Sequence, residues 1–86
     1  MEADLYYWYD QNKHEVDIVL ELFRKPVPIE IKYQNDISRG ELEGVSSFLS
    51  KFKPSFGLVV TKDTLLIDGK MLFIPLWLFL FLCKKC

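Results

Sequence analysis

Two segments of the chain, 14–22 and 27–33, alternate between apolar and polar residues, and this period of two predicts β-strands. In the first segment one face carries Val16, Ile18, Leu20 and Leu22, and the other carries Glu15, Asp17, Val19 and Glu21. In the second segment one face carries Ile29, Ile31 and Tyr33, and the other carries Glu30 and Lys32. The pattern therefore places an acid on one strand close to an acid and a base on the next.

The residues around these segments predict a sheet of three antiparallel strands. The aromatic run 5–9 and the polar turn 10–13 form a hairpin with segment 14–22. Pro26 and Pro28 lack N–H donors, so the third strand begins at or after Pro28, or the proline stretch lies on an edge. Two registers are open, with Asp17 opposite either Lys32 or Glu30. Both registers keep these three side chains on one face.

The second half of the chain predicts two helices and further strands. Ser38 and Glu41 form a capping box, which indicates a helix from Arg39 that ends near Phe52 or Lys53, before Pro54. The contiguous apolar run 56–61 predicts a central strand beside the third one. An Asp-Gly turn joins the segments 65–67 and 70–74 as a strand pair, and Pro75 opens a closing helix over 76–82 that is apolar on every side.

Composition narrows the function classes. With 86 residues the chain forms one domain with a thin core, and a net charge of −1 excludes a general basic field for nucleic acid. The apolar run 71–83 is shorter than the ~20 residues of a membrane span, and residues 1–10 lack the features of a secretory signal. We therefore expect a cytoplasmic protein without a membrane partner, in which Cys83 and Cys86 are incidental thiols.

Asp17, Glu30 and Lys32 are the candidate site residues. Two carboxylates on neighbouring strands form a hard-oxygen site of the kind that Mg²⁺ or Mn²⁺ occupies while keeping waters for a phosphate substrate. An adjacent lysine orients an attacking water or neutralises charge that develops on the phosphate. The structural alternative is that these charges simply line the wet face of an amphipathic sheet. Glu15 and His14 are interpreted as solvated side chains.

Four ordered blocks of the chain carry a family resemblance. The segments 14–20, 28–33, 59–63 and 74–77 resemble the PD-(D/E)XK nuclease superfamily, and most closely the C-terminal nuclease-like domain of archaeal and bacterial AAA-type ATPases. The resemblance implies an α/β fold of the restriction-endonuclease type, with a mixed, mostly antiparallel sheet and flanking helices. It also implies that Asp17, Glu30 and Lys32 are catalytic, that Asp17 and Glu30 hold the metal, and that the substrate is nucleic acid.

The chain departs from this family in two ways. Val16 stands where the family has proline, and only residues 1–4 precede the first strand, where the family has a helix that often supplies another acid. The resemblance thus implies a single domain, 1–86, truncated and lacking an ATPase module. Two functions follow as expectations: a metal-dependent phosphodiesterase, or a non-catalytic module that keeps the nuclease fold and binds DNA or docks a partner.

The apolar C-terminal segment predicts self-association. A single sheet with one helical layer covers only one side of the segment 76–82, and the exposed remainder is costly in water. We therefore expect a homodimer, formed through the aromatic strands or through this segment.

Overall fold

The computed structural model describes residues 3–9, 11–22 and 25–85, which form one mixed α/β sheet with two α-helices. The strands are β1 (Ala3–Tyr9), β2 (Glu15–Leu22), β3 (Lys25–Ile31), β4 (Gly57–Thr61), β5 (Leu66–Asp68) and β6 (Met71–Pro75), and the helices are α1 (Glu43–Phe52) and α2 (Leu76–Lys85). The sheet order is β1-β2-β3-β4-β6-β5. The pairs β3/β4 and β4/β6 are parallel and the other three are antiparallel, so the predicted mixed, mostly antiparallel sheet is confirmed.

Helix α1 carries the chain from β3 to the parallel strand β4 and covers one face of the sheet. Phe48 of α1 packs with Val16 and Val19 of β2 in a buried cluster. Trp8 of β1 stands edge-on against Phe48, with 5.3 Å between ring centroids. This packing holds the half-buried Trp8 against the core, and α1 lies over β2 and β3.

The opposite face is closed at the β4 and β6 end of the sheet. Val60 and Ile74 point away from α1, because they alternate along β4 and β6 with the residues that face it. Both are buried all the same. Helix α2 starts directly after β6 and contacts both β6 and β4, which accounts for this burial. In the described part of the chain, neither helix has the length and apolarity needed to cross a membrane.

The start of α1 differs from the prediction. A short 3₁₀ turn, Gly40–Leu42, precedes the α-helix, which begins at Glu43 rather than at Arg39. Only the glutamate half of the capping box forms: the Ser38 N–H donates to the Glu41 carboxylate at 2.9 Å, and the Ser38 hydroxyl also donates to it. The predicted end is confirmed, because the last α-helical residue is Phe52 and Lys53 adopts a left-handed conformation.

Strand β3 includes both prolines. It begins at Lys25, and Pro26 and Pro28 pair in register with β2. On its other side β4 pairs only with residues 29–31. The proline stretch is therefore an edge on that side, where no N–H donor is needed, which agrees with the second of the two alternatives from the sequence.

A β-bulge in β2 overturns one predicted face. Tyr6 is paired with Val19 and Trp8 with Val16, so two residues of β2, Asp17 and Ile18, lie opposite one residue of β1. The extra residue reverses the alternation beyond it. Val19, predicted on the face of Asp17, instead joins Val16 under α1. A strict period of two cannot reveal such an insertion.

Gly44 lets α1 approach β2 to backbone contact. A Cβ atom on Gly44 would lie 1.6 Å from the carbonyl oxygen of Glu15. This is far inside contact distance, and the obstacle is main chain, which cannot rotate away. Any side chain here forces α1 off the sheet.

We expect Gly44→Ala to lower the free energy of unfolding by about 3 kcal/mol, because the overlap outweighs the ~1 kcal/mol that alanine gains over glycine in a helix. Urea unfolding followed by circular dichroism measures the change. Gly40→Ala is the matched control, since the nearest atom to its Cβ is 3.9 Å away. A Gly44→Ala midpoint equal to that of the wild type would contradict the close packing.

Candidate functional site

The three candidate residues lie in one open cleft of about 260 Å³. The cleft is formed where β3 ends, between β2 and the first turns of the α1 region. Its lining consists of Lys13, His14, Glu15, Asp17, Glu30, Lys32, Gly40, Glu41, Glu43 and Gly44. Asp17, Glu30 and Lys32, which the alternation predicts to be close together, thus line the same cleft in the fold.

The bulge positions Asp17. The observed register, in which Ile18 is opposite Ile29, is the alternative that sets Asp17 against Glu30. The pairing of β2 with β3 ends at Ile18, and the Asp17 carboxylate accepts the N–H of Ile31 at 3.2 Å. An exposed aspartate is thereby tied to the main chain of the neighbouring strand. Bulges commonly re-aim side chains in this way next to functional sites.

Glu30 is a buried acid with a strongly raised pKa. Its side chain is 6% exposed, on the face that α1 covers. Burial first, and then a hydrogen bond to Asp17 and the negative charge of Asp17, raise the pKa of Glu30 from 4.5 to about 8. The charge of Lys32 acts in the opposite direction and is outweighed. At neutral pH Glu30 therefore keeps its proton.

Lys32 is half-buried, and its charge acts on two acids of the cleft. Its N–H donates to the carbonyl of Val60 at 2.8 Å, which continues the link between β3 and β4. Its charge favours ionisation of both Glu30 and Glu41. Hydrogen bonds from the Ser38 N–H and then from the Gln34 side chain, at 2.9 Å each, are the larger causes that lower the pKa of Glu41. Glu41 is thus an ionised carboxylate that two hydrogen-bond donors fix at the edge of the cleft.

Four further charged or titratable residues line the cleft although the sequence did not single them out as functional: Lys13, His14, Glu15 and Glu43. Lys13 adopts a left-handed conformation, with φ of 64°, in the turn between β1 and β2. The sequence could have indicated Lys13, His14 and Glu15, because they lie within four residues of Asp17. It could not have indicated Glu43, because only the packing of Gly44 against β2 brings the start of α1 to the strands.

The donor set of the cleft suits a divalent cation only in part. Asp17 and Glu30 are hydrogen-bonded to each other and carry oxygen donors of the type that Mg²⁺ and Mn²⁺ prefer, and an open cleft leaves room for waters. Among the described residues, no group of three or more histidine, cysteine, aspartate or glutamate side chains is arranged to hold a metal ion. The arrangement thus offers two protein ligands rather than a complete cage.

Comparison with known proteins gives one finding. A family model described as "Domain of unknown function (DUF4143)" matches residues 1–79, and the domain is found at the C-termini of AAA-type ATPases. No curated protein and no solved structure matches the chain.

The raised pKa of Glu30 predicts a pH-dependent stability. Between about pH 4.5 and 8 the folded chain binds a proton that the unfolded chain releases, so the free energy of unfolding falls as pH rises through this window. Each pKa unit corresponds to about 1.4 kcal/mol, and water in the open cleft screens part of it, so we expect a loss of about 2 kcal/mol. Urea unfolding at several pH values, with a chelator present, measures this.

Glu30→Gln should remove this slope, because the amide is neutral at every pH and donates to Asp17 as the protonated acid does. Glu41→Gln is the control: the pKa of Glu41 is lowered, so its contribution is lost only as the solution becomes acidic. A wild-type slope that survives in Glu30→Gln would show that Glu30 is not the titrating group.

Proposed function

The chain belongs to the DUF4143 family, and from this premise we propose that its cleft binds Mg²⁺ or Mn²⁺ and hydrolyses phosphodiester bonds in nucleic acid. The observation that carries the proposal is the hydrogen-bonded pair of Asp17 and Glu30 with Lys32 beside it. A buried acid with a strongly perturbed pKa, in a cleft and next to a specific charged partner, is characteristic of functional sites.

Asp17 and Glu30 would hold the cation through their carboxylate oxygens. When bound, the cation polarises the phosphate and lowers the pKa of a bound water. Lys32 orients the attacking water and neutralises the charge that develops on the phosphate oxygens. Water attacks phosphorus and releases a proton to solvent, the bond to the leaving oxygen breaks, and that oxygen takes a proton from solvent. The ionised carboxylate of Glu41 offsets part of the charge of the Lys32 ammonium.

The position of the cleft supports this proposal. It lies at the carboxyl end of β3, which pairs in parallel with β4, and the chain passes from there into α1. In sheets with parallel strands, ligands bind outside the carboxyl ends of the strands. A substrate that enters the cleft there would meet Lys32 first and the Asp17–Glu30 pair behind it, and the sheet holds the main chain of these residues.

A second function is favoured by a specific observation. The hydrogen bond between Asp17 and Glu30 already satisfies a buried acid in its neutral form, without any cation. Such a pair is also consistent with a non-catalytic module that binds DNA or docks a partner. The occurrence of the family at the C-termini of AAA-type ATPases suits a docking role, in which the domain acts within a longer protein.

Calorimetric titration with Mg²⁺ and with Mn²⁺, at a pH above about 8 where Glu30 is ionised, tests the proposal. We expect one site, at least about tenfold weaker in Asp17→Asn and in Glu30→Gln, because each variant replaces a charged ligand by a neutral one. Asparagine is preferable to alanine at position 17, since its amide oxygen can still accept the Ile31 N–H. Asp68→Asn, in β5 and away from the cleft residues, is the matched control.

Cleavage of single-stranded, double-stranded and branched DNA, and of RNA, completes the test. Metal binding with cleavage that is lost in Lys32→Met supports the phosphodiesterase. Binding of DNA with neither metal uptake nor cleavage supports the non-catalytic module. Metal affinity that is the same in all three carboxylate variants would rule out the proposed site.

A further inference from the structure

Helix α2 presents an exposed apolar stripe. Trp77, Leu80 and Phe81 have the spacing i, i+3, i+4 and so lie on one side of the helix, and each is more than half exposed. No charged residue occurs between Leu76 and Cys83. Soluble helices normally place polar residues on such a face, so this stripe requires a partner surface.

The apolar surface extends to the neighbouring edge of the sheet. Leu65, Leu66 and Ile67 are all exposed, at and just before β5. Strand β5 is the edge strand next to β6, and β6 runs directly into α2. Leu66 pairs with Phe73 on the α1 side of the sheet, whereas Ile67 pairs with Leu72 on the α2 side. The C-terminal half of the chain thus carries two exposed apolar segments on the α2 side, which we call the α2/β5 surface (residues 65, 67, 77 and 80–82).

We propose that a second copy of this chain covers the α2/β5 surface in a two-fold dimer. If a fully exposed aromatic side chain contributes ~150–250 Å², the exposed parts of the α2/β5 surface amount to about 700 Å². This approaches the ~800 Å² that each partner contributes to a stable interface of standard size. The surface is aromatic and aliphatic, like the core of a homodimer interface.

Charge distinguishes this surface from β1, the other edge of the sheet. In a two-fold dimer the same patch meets itself, so every charge in it faces its own sign. Strand β1 exposes Tyr7, whose pKa is raised chiefly by a hydrogen bond to Glu15, and Tyr6, whose pKa is raised by partial burial and then by the charge of Glu21. Two copies joined there would bring these acids together. The α2/β5 surface is bordered by one acid, Asp68, and one base, Lys84, so two copies joined there do not bring acids together in this way.

Sedimentation velocity of the full chain, from about 1 to 100 μM, tests the proposal. We expect a dimer that Trp77→Lys dissociates, with at least a tenfold rise in the dissociation constant, because a lysine ammonium would be buried against its own copy. Tyr9→Lys is the matched control: Tyr9 is 68% exposed and Trp77 65%, but Tyr9 lies on β1. The control should remain dimeric, and circular dichroism should show that both variants are folded.

Fluorescence gives an independent reading that does not need a disruptive variant. Trp8 and Trp77 are the two tryptophans, so Trp8→Phe leaves Trp77 as the sole reporter. Its emission should shift to shorter wavelength, and acrylamide quenching should weaken, as concentration rises through the dimer transition. A monomer at every concentration, or a dimer broken by Tyr9→Lys and not by Trp77→Lys, would overturn the proposal. Binding of a monomer to anionic vesicles through Trp77 would likewise overturn it and assign the surface to lipid.

Discussion

The contact between Gly44 and the main chain of β2 is the constraint on which the cleft depends. Because Gly44 has no Cβ, the first turns of the helical region lie against the carbonyl of Glu15 instead of a side chain's width above it. That distance makes Glu41 and Glu43 neighbours of Asp17 and Glu30 in one cleft. It also accounts for the burial of Glu30, since α1 covers the face on which this acid lies. The raised pKa of Glu30 therefore depends on the absence of a side chain at Gly44.

The site departs from the local rules that the rest of the chain follows. A bulge interrupts the alternation of β2, an acid is buried, and Lys13 takes a left-handed conformation in the adjacent turn. Each feature costs stability, and in a chain of 86 residues the reserve is small. Such departures collect at functional sites, where the geometry is retained for a reason other than stability. Away from the cleft, strands and helices agree with their sequence patterns.

The fold was largely predictable because its signals are local. Alternation identified β2 and β3, a contiguous apolar run identified β4 beside β3, and Pro54 set the end of α1. The juxtaposition of Asp17, Glu30 and Lys32 followed from the same alternation. The bulge was not predictable, since it depends on how β1 pairs with β2 and leaves no mark on composition. It nevertheless moves Val19 to the other face. The contribution of Glu43 and the depth of the Glu30 burial depend on the packing of α1, which no pattern within a strand encodes.

The parallel pairing of β3 and β4 has a kinetic consequence. Strands β1, β2 and β3 are antiparallel neighbours in sequence and can form by hairpin closure, whereas β4 reaches β3 only after the intervening helical segment has been placed. Formation of the first three strands brings the two carboxyl groups to neighbouring strands in a water-exposed meander. Their unusual chemical environment also requires α1 to cover the sheet, so hairpin formation alone does not create it.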